Sequence, residues 1–487
     1  MLIAVLILAA CASPVPATPL PAPTPQPDDL APYRAAMRPE FAADVDRFAR
    51  ATRYQIDLTI APDLASLTGR QHVRYTNTES VPLEVMYLRL FANSPYYGGK
   101  QTIRALRVNG AEAKPEMSLG NTVLKIAMNP PLQPGSAVEF DLEYDVAIPT
   151  KTVDAGYNQF GYHDGVLTLP NLYPIIPVYD DEGWHVELAP GYGDAVYSDT
   201  ALYQVSITAP ADQVVAASGV CQVSGVGANR VWRCVSGPMR DFMIAMSADF
   251  VVESTSAGGV TVNSYALKED ARAGRQGLRY AADAVASYQK RIGTYPFTEL
   301  DLVETPTTAG GIEYPGLIVV AGRVYDDAPV QEFTTVHEAA HQWWYGLVGN
   351  DQVDEPWIDE ALAQYTSILY FRDRYGAEQA QFLVGLVFGQ RYDRARQADE
   401  DLRADLPVAR YTESQYGEIV YGKAPLFFDA LYQAMGDEKF NAFLRTYFEA
   451  HRYGMATAQD LLDAAATQLE RSKIDALLKK WITTPER

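Results

Sequence analysis

The string from His337 to Tyr365, HEAAHQWWYGLVGNDQVDEPWIDEALAQY, constrains this chain more than any other part of it. On a helix, positions i and i+4 share a face, so His337 and His341 present two imidazoles to one point, with Glu338 beside them. Eighteen residues then separate His341 from Glu360. Within that interval GLVGNDQVDEP supplies glycines for a chain reversal and Pro356 for a new helix start. The following helix, PWIDEALAQYTSILYF, carries Glu360 one turn in and points it back at the first helix. Two imidazoles and a carboxylate are the donor set of a catalytic zinc site, which takes three protein ligands and keeps a fourth position open. The expectation is one zinc ion on His337, His341 and Glu360, with Glu338 adjacent to it as a base.

Around this string the chain reads as a β region followed by an α+β region that becomes all helical. Its 487 residues suffice for two or three domains with ordinary cores. From Tyr54 to about Val252 the period is two. In SAVEFDLEYDVAIP the residues Val138, Phe140, Leu142, Tyr144 and Val146 alternate with carboxylates, giving one buried and one wet face. YQIDLTIAP, LEVMYLRLF and IRALRVNGAEA behave alike, the last with an Asn-Gly hairpin signal. An antiparallel sandwich or saddle of sheets is expected over residues 31–253. After DFVVES a helical period sets in, ending at Gly293; LDLVETP and GGIEYPGLIVVAG read as strands, and helices follow from Val330 to the end of a second domain over 254–487. The charge-rich RARQADEDLRADLP, Arg394 to Pro407, reads as a solvated loop or helix end.

With 61 acidic against 40 basic residues the net charge is −21, which repels phosphate backbones, so a nucleic-acid partner is not expected. The apolar run Leu2 to Ala10 is far shorter than the ~20 residues that cross a bilayer, and reads as the core of a signal peptide over residues 1–11. Leu8-Ala9-Ala10-Cys11 resembles the bacterial lipoprotein processing motif, which makes Cys11 a lipidation site. The proline-rich stretch over residues 12–30 is then an extended tether. Cys221 and Cys234 lie at nearly mirrored distances from the turn GVGAN, where a hairpin lets them face each other; a disulfide and a reduced pair are both open. Export to the bacterial cell envelope, with a membrane connection only through the lipid, is the expectation; without modification of Cys11 the protein is secreted. Oligomeric state is not legible.

The zinc string also resembles the gluzincin aminopeptidases typified by aminopeptidase N and leukotriene hydrolase, whose signature is His-Glu-x-x-His, eighteen residues, then Glu. TYPFTELDLVETPTTAGGIEYPGLIVV is similar to that family's YPF segment and its Gly-x-Met-Glu-Asn strand, here Gly310-Gly311-Ile312-Glu313-Tyr314, and IVYGKAPLFFDAL to its Tyr-x-Lys-Gly segment. The resemblance implies a thermolysin-like peptidase domain ending in helices, a β domain before it, and a short form without the long C-terminal helical domain, hence an open site. It implies further that Glu338 is the general base, Tyr421 the oxyanion donor and Glu313 the partner of the substrate ammonium. Gly310, Gly311 and Asn171 are candidate substrate contacts. Asn171 stands in for the family's Gln-x-Glu segment, which is not found. Ile312 and Tyr314 depart from the family's Met and Asn. Trp343, Trp344 and Trp357 are expected to pack the metal helices rather than touch substrate.

The expected reaction is removal of the first residue from peptides with a free amino terminus. Two alternatives stay open: a thermolysin-type endopeptidase using the same ligands, and a catalytically idle surface lipoprotein that binds peptides.

Overall fold

The computed structural model describes residues 29–153, 155–193, 196–225 and 227–485. The signal-peptide and lipidation expectations, Cys11 included, lie outside them. No helix among the described residues is long and apolar enough to cross a membrane.

Alternating strands build the first half, as the period of two requires. Ala137–Ala147 buries Val138, Phe140, Leu142, Tyr144 and Val146 on one face. Its neighbour Ser66–Thr76 places Gly69 opposite Tyr144, where any Cβ would stand 2.2 Å from the tyrosine ring, so the missing side chain is what lets the ring lie across the sheet. These strands belong to an eight-stranded sheet, with a four-stranded sheet and a three-stranded sheet packed in the same half. One pairing in the eight-stranded sheet departs from the antiparallel pattern: Arg53–Ile60 runs parallel to Leu202–Pro210, and the chain between them forms four other strands of that sheet as well as strands of the smaller ones. At Asn109-Gly110 both residues have positive φ, 50° and 79°, as a tight hairpin needs.

The strand Phe250–Ala257, which straddles the expected division at 253/254, pairs with Val260–Leu267 in a five-stranded sheet. That sheet continues through the parallel strands Glu299–Thr305 and Leu317–Ala321 and ends at the two-residue edge strand Gly311–Ile312. Helix α1 (Ala271–Arg291) makes the crossover. Helices α2 (Ala328–Ala340) and α3 (Trp357–Tyr375) pack beside it and against each other. Next come α4 (Ala377–Leu383), a π-helical turn Val384–Gly389, α5 (Gln390–Gln397), α6 (Glu413–Glu418) and a second π-helical turn, Ile419–Lys423. Trp343, Trp344 and Trp357 are buried among aromatic rings, as expected; Trp343 lies 5.6 Å from Tyr288 and 5.4 Å from Tyr295.

The halves are tied by a buried polar joint. Arg240, wholly buried, donates from Nε to the Tyr345 carbonyl at 2.7 Å and also to the Gly454 carbonyl, and the Tyr345 hydroxyl donates to Asp241 at 2.6 Å. Gly349 is required here, since a Cβ would stand 2.2 Å from the guanidinium carbon.

Candidate active site

Helix α2 ends just before His341, so its last turn delivers both imidazoles to one side. The Nε2 atoms of His337 and His341 are 3.3 Å apart, and Glu360 Oε2, reaching over from the first turn of α3, is 3.4 Å from each. Two ligands each about 2.1 Å from a tetrahedral centre are themselves about 3.4 Å apart, so this triangle of donor atoms has the dimensions of a zinc site face. Glu360 Oε2 makes no hydrogen bond although it is buried. His341 is oriented by its Nδ1 against the Trp344 carbonyl at 3.1 Å, leaving Nε2 to face the triangle. Tyr421, carried by the second π turn, donates its hydroxyl to the other Glu360 oxygen.

Charge at the site is lopsided. Glu313, Glu338, Asp359 and Glu360 are all buried around two imidazoles. Buried charges persist when they are paired or bind metal. Burial pulls against ionisation of Glu360, yet His341 and His337 outweigh it and hold the carboxyl well below the usual range. His341 is disfavoured as a cation by burial, but Glu313 and Glu360 push it up to about 10. Glu338 moves the other way: burial, then the neighbouring Glu313, raises it well above an ordinary carboxyl. The residues present therefore fit a divalent cation in donor type, spacing and charge.

Glu313 follows the edge strand and is held by amides. Gln352 donates to its carboxylate at 3.0 Å, and Gln342, next to His341, donates to the Tyr314 carbonyl at 3.1 Å while accepting from the Gly316 amide at 2.8 Å. Gln352 and Asn350 also donate to Asp359, at 2.7 and 3.1 Å. Tyr314, one of the two departures from the aminopeptidase pattern, is buried and donates to Gln159 at 2.6 Å, so the changed residue anchors this strand to the β half. Gly311 lies flush against Glu338, whose carboxyl oxygen would be 2.5 Å from any Cβ there.

A cavity of about 390 Å³ lies here between the halves. Gly310, Gly311, Glu313, Glu338, His337, Glu360 and Tyr421 all face it, and so does Asn171 from the β half. Asn171 is buried at positive φ, 48°, with both carboxamide atoms unbonded.

Residues 279–481 match the model of the peptidase family M1 domain. That stretch is similar to an M1 peptidase domain. Aminopeptidase M1-B of Oryza sativa subsp. japonica is 26% identical over 223 residues, 43% of this chain and 25% of that protein. Aminopeptidase M1 of Arabidopsis thaliana is 24% identical over 299 residues, 58% of this chain and 34% of that protein. The chain thus spans a quarter to a third of the length of these relatives. A solved M1 zinc metallopeptidase of Deinococcus radiodurans, a mutant bound to a Tyr-Ser-Ala substrate, superimposes with a TM-score of 0.64 at 18% identity, covering 90% of this chain and 96% of that one. The β-rich half followed by the M1 domain is therefore the two-domain fold of that neighbour.

Sequence reasoning missed several members of the site. Gln342, Gln352, Asp359, Asp241 and Tyr345 form the buried amide and carboxyl shell, and Arg391 lines the cavity. Gln342 and Asp359 had a signal, their positions directly beside His341 and Glu360; the others approach through tertiary folding. Cys221 and Cys234 are direct cross-strand partners, with their sulfurs bonded.

Proposed function

We propose that this chain is a zinc aminopeptidase that removes the first residue from peptides. The observation that carries this reading is the buried Glu313 carboxylate beside the His337, His341 and Glu360 triangle, with Glu313, His337 and Glu360 lining one cavity. A carboxylate there has one natural partner in a peptide, the terminal ammonium. The aminopeptidase names of the plant relatives support the same reading.

Zinc, when bound, polarises the scissile carbonyl and brings the pKa of a water toward about 7. Glu338 takes the proton of the attacking water and passes it to the leaving amine; its burial, which raises its proton affinity, suits it to both roles. The Tyr421 hydroxyl, already turned to the ligand triangle through Glu360, donates to the oxyanion as charge develops. Glu313, with Gln352 fixing its carboxylate, sets the ammonium so that the first peptide bond meets Glu338. The Asn171 carboxamide, unbonded and facing the cavity, adds a polar contact for the same end of the substrate. An endopeptidase has no use for a buried anion at this place, and an idle binding protein has none for Glu338 and Tyr421.

We also propose that the protein is exported and lipid-anchored through Cys11 at the envelope surface. The apolar leader, the Leu-Ala-Ala-Cys motif and the bonded Cys221 and Cys234 support that placement.

The test is hydrolysis of fluorogenic aminoacyl amides by protein stripped with a chelator and reloaded with zinc. Activity lost on stripping, restored by zinc and reduced at least about 1000-fold by Glu338→Gln is expected. Activity that survives complete metal removal overturns the reading.

A further inference from the structure

Arg391, at the second position of α5, is a cation in the cavity that forms no ion pair among the described residues. It lines the same cavity as His337, Glu338 and Tyr421, and its guanidinium carbon lies 5.8 Å from the centre of the Tyr421 ring. That ring is in turn 6.2 Å from the His337 imidazole. Among the described residues its hydrogen bonding is a single long contact to the Gly417 carbonyl, 3.4 Å, and no carboxylate lies within ion-pair distance. Its neighbours on and after α5 differ: Arg394 pairs with Glu418 at 3.3 Å, Arg396 with Asp393 at 3.6 Å and Arg403 with Asp405 at 2.6 Å. A half-buried guanidinium is normally matched by a carboxylate fork.

The position is built, not incidental. At Gly422, inside the π turn that carries Tyr421, an added Cβ would be 2.7 Å from Arg391 Cβ and 3.1 Å from the Tyr392 amide nitrogen. The lack of a side chain there lets α5 rest directly on the turn and sets Arg391 beside the catalytic tyrosine. Arg391 reaches the His337 side of the ligand triangle, the Tyr421 ring lying between them. Glu313 lies on the His341 side, where its carboxylate, the His341 imidazole and Asp359 come within 4.8 Å of one another. The cavity therefore runs from Glu313, past His337, Glu360 and Glu338, to Arg391, with Glu413 also on its wall.

We propose that Arg391 binds the C-terminal carboxylate of the substrate, so that the preferred substrates are short peptides held as zwitterions between Glu313 and Arg391. The inference rests on the aminopeptidase reading above and adds a substrate class to it. A cavity of about 390 Å³ is near the lower end of small-ligand sites, roughly 300–1000 Å³, and suits a di- or tripeptide.

The test compares kcat/KM for Ala-Ala-Ala, its C-terminal amide, and Ala-Asp-Ala amide on the zinc-loaded enzyme. The expected result is a preference of about tenfold or more for the free acid over either amide, the size of one charge-assisted contact. Arg391→Gln should bring the acid-to-amide ratio to about 1, and Arg391→Lys should keep part of the preference because the charge remains. A wild-type acid-to-amide ratio of about 1, or an Arg391→Gln variant that slows acid and amide alike, overturns the assignment while leaving the aminopeptidase reading intact. A preference shown only by the aspartyl amide moves the carboxylate to an internal acidic residue and overturns the chain-end assignment. Hydrolysis of none of the three peptides overturns the aminopeptidase reading itself.

Discussion

Lys423 offers a stability prediction that reaches the site. Its side chain is wholly buried, and the ammonium donates to Asp401 at 2.7 Å, to the Leu402 carbonyl at 2.8 Å and to the Thr484 carbonyl at 3.0 Å. It closes the π turn in which Tyr421 stands two residues earlier. In Lys423→Met the stem still packs, but Asp401 loses the ammonium and two carbonyls lose a donor. Breaking a buried pair from one side costs about 3–5 kcal/mol, and a stranded buried acceptor about 1–3 kcal/mol. Asp401 keeps the Tyr392 hydroxyl at 3.1 Å, and exposed Thr484 can turn to water, so the lower end applies and a loss of about 3 kcal/mol is expected. Asp401→Leu alone leaves the buried ammonium two carbonyls but no carboxylate, and should cost about as much. The double variant removes both charges, and should be better than the sum of the singles by about 2 kcal/mol. Urea unfolding of the four proteins measures this, with kcat on an aminoacyl amide reporting how far Tyr421 has moved. A Lys423→Met protein within about 0.5 kcal/mol of wild type, or strict additivity in the double variant, refutes the reasoning.

Tyr421→Phe removes the hydroxyl that donates to Glu360 and, in the reaction, to the oxyanion; kcat should fall by about 100-fold or more, near 3 kcal/mol, with zinc content by metal analysis unchanged. Asp241 is pushed up to about 7 by burial, and further by Glu313, against the opposing Tyr345 hydroxyl and Arg240. The folded state therefore holds its proton more tightly than the unfolded chain does. The associated stability is fully present below the unfolded value of 3.8 and is lost as pH rises through about 7. Asp241→Asn should flatten the stability profile across that window in thermal melts, and an unchanged slope contradicts the assignment.

Much of the site was legible because its chemistry is local. His337 and His341 are one helical turn apart and Glu360 is reached by a short reversal, so spacing alone specifies the triangle. The hairpins were legible for the same reason: alternation in Ala137–Ala147 and the mirrored Cys221 and Cys234 depend on neighbours in sequence. What stayed hidden is assembled across long separations. Lys423 reads as an ordinary lysine until the charge-rich stretch read as solvated brings Asp401 to it. Arg391 sits just before that stretch, and nothing in its local pattern separates it from the paired arginines that follow. The π turns that place Tyr421 and precede Arg391 leave no periodic signal, since each is one extra residue in an otherwise helical run. Tyr314 was legible as a departure from a pattern, but its bond to Gln159 needs the β half in place.

The central claim, that Glu313 makes this metal site an exopeptidase by binding a free ammonium, meets its most direct test in one comparison. Initial rates are measured for an alanyl peptide and its N-acetylated counterpart, with the products separated and identified. The account predicts release of the first residue from the free peptide, at a rate at least about 100-fold above the acetylated one, the effect of losing one buried charge-assisted contact. Equal rates, or cleavage at an internal bond, would contradict it.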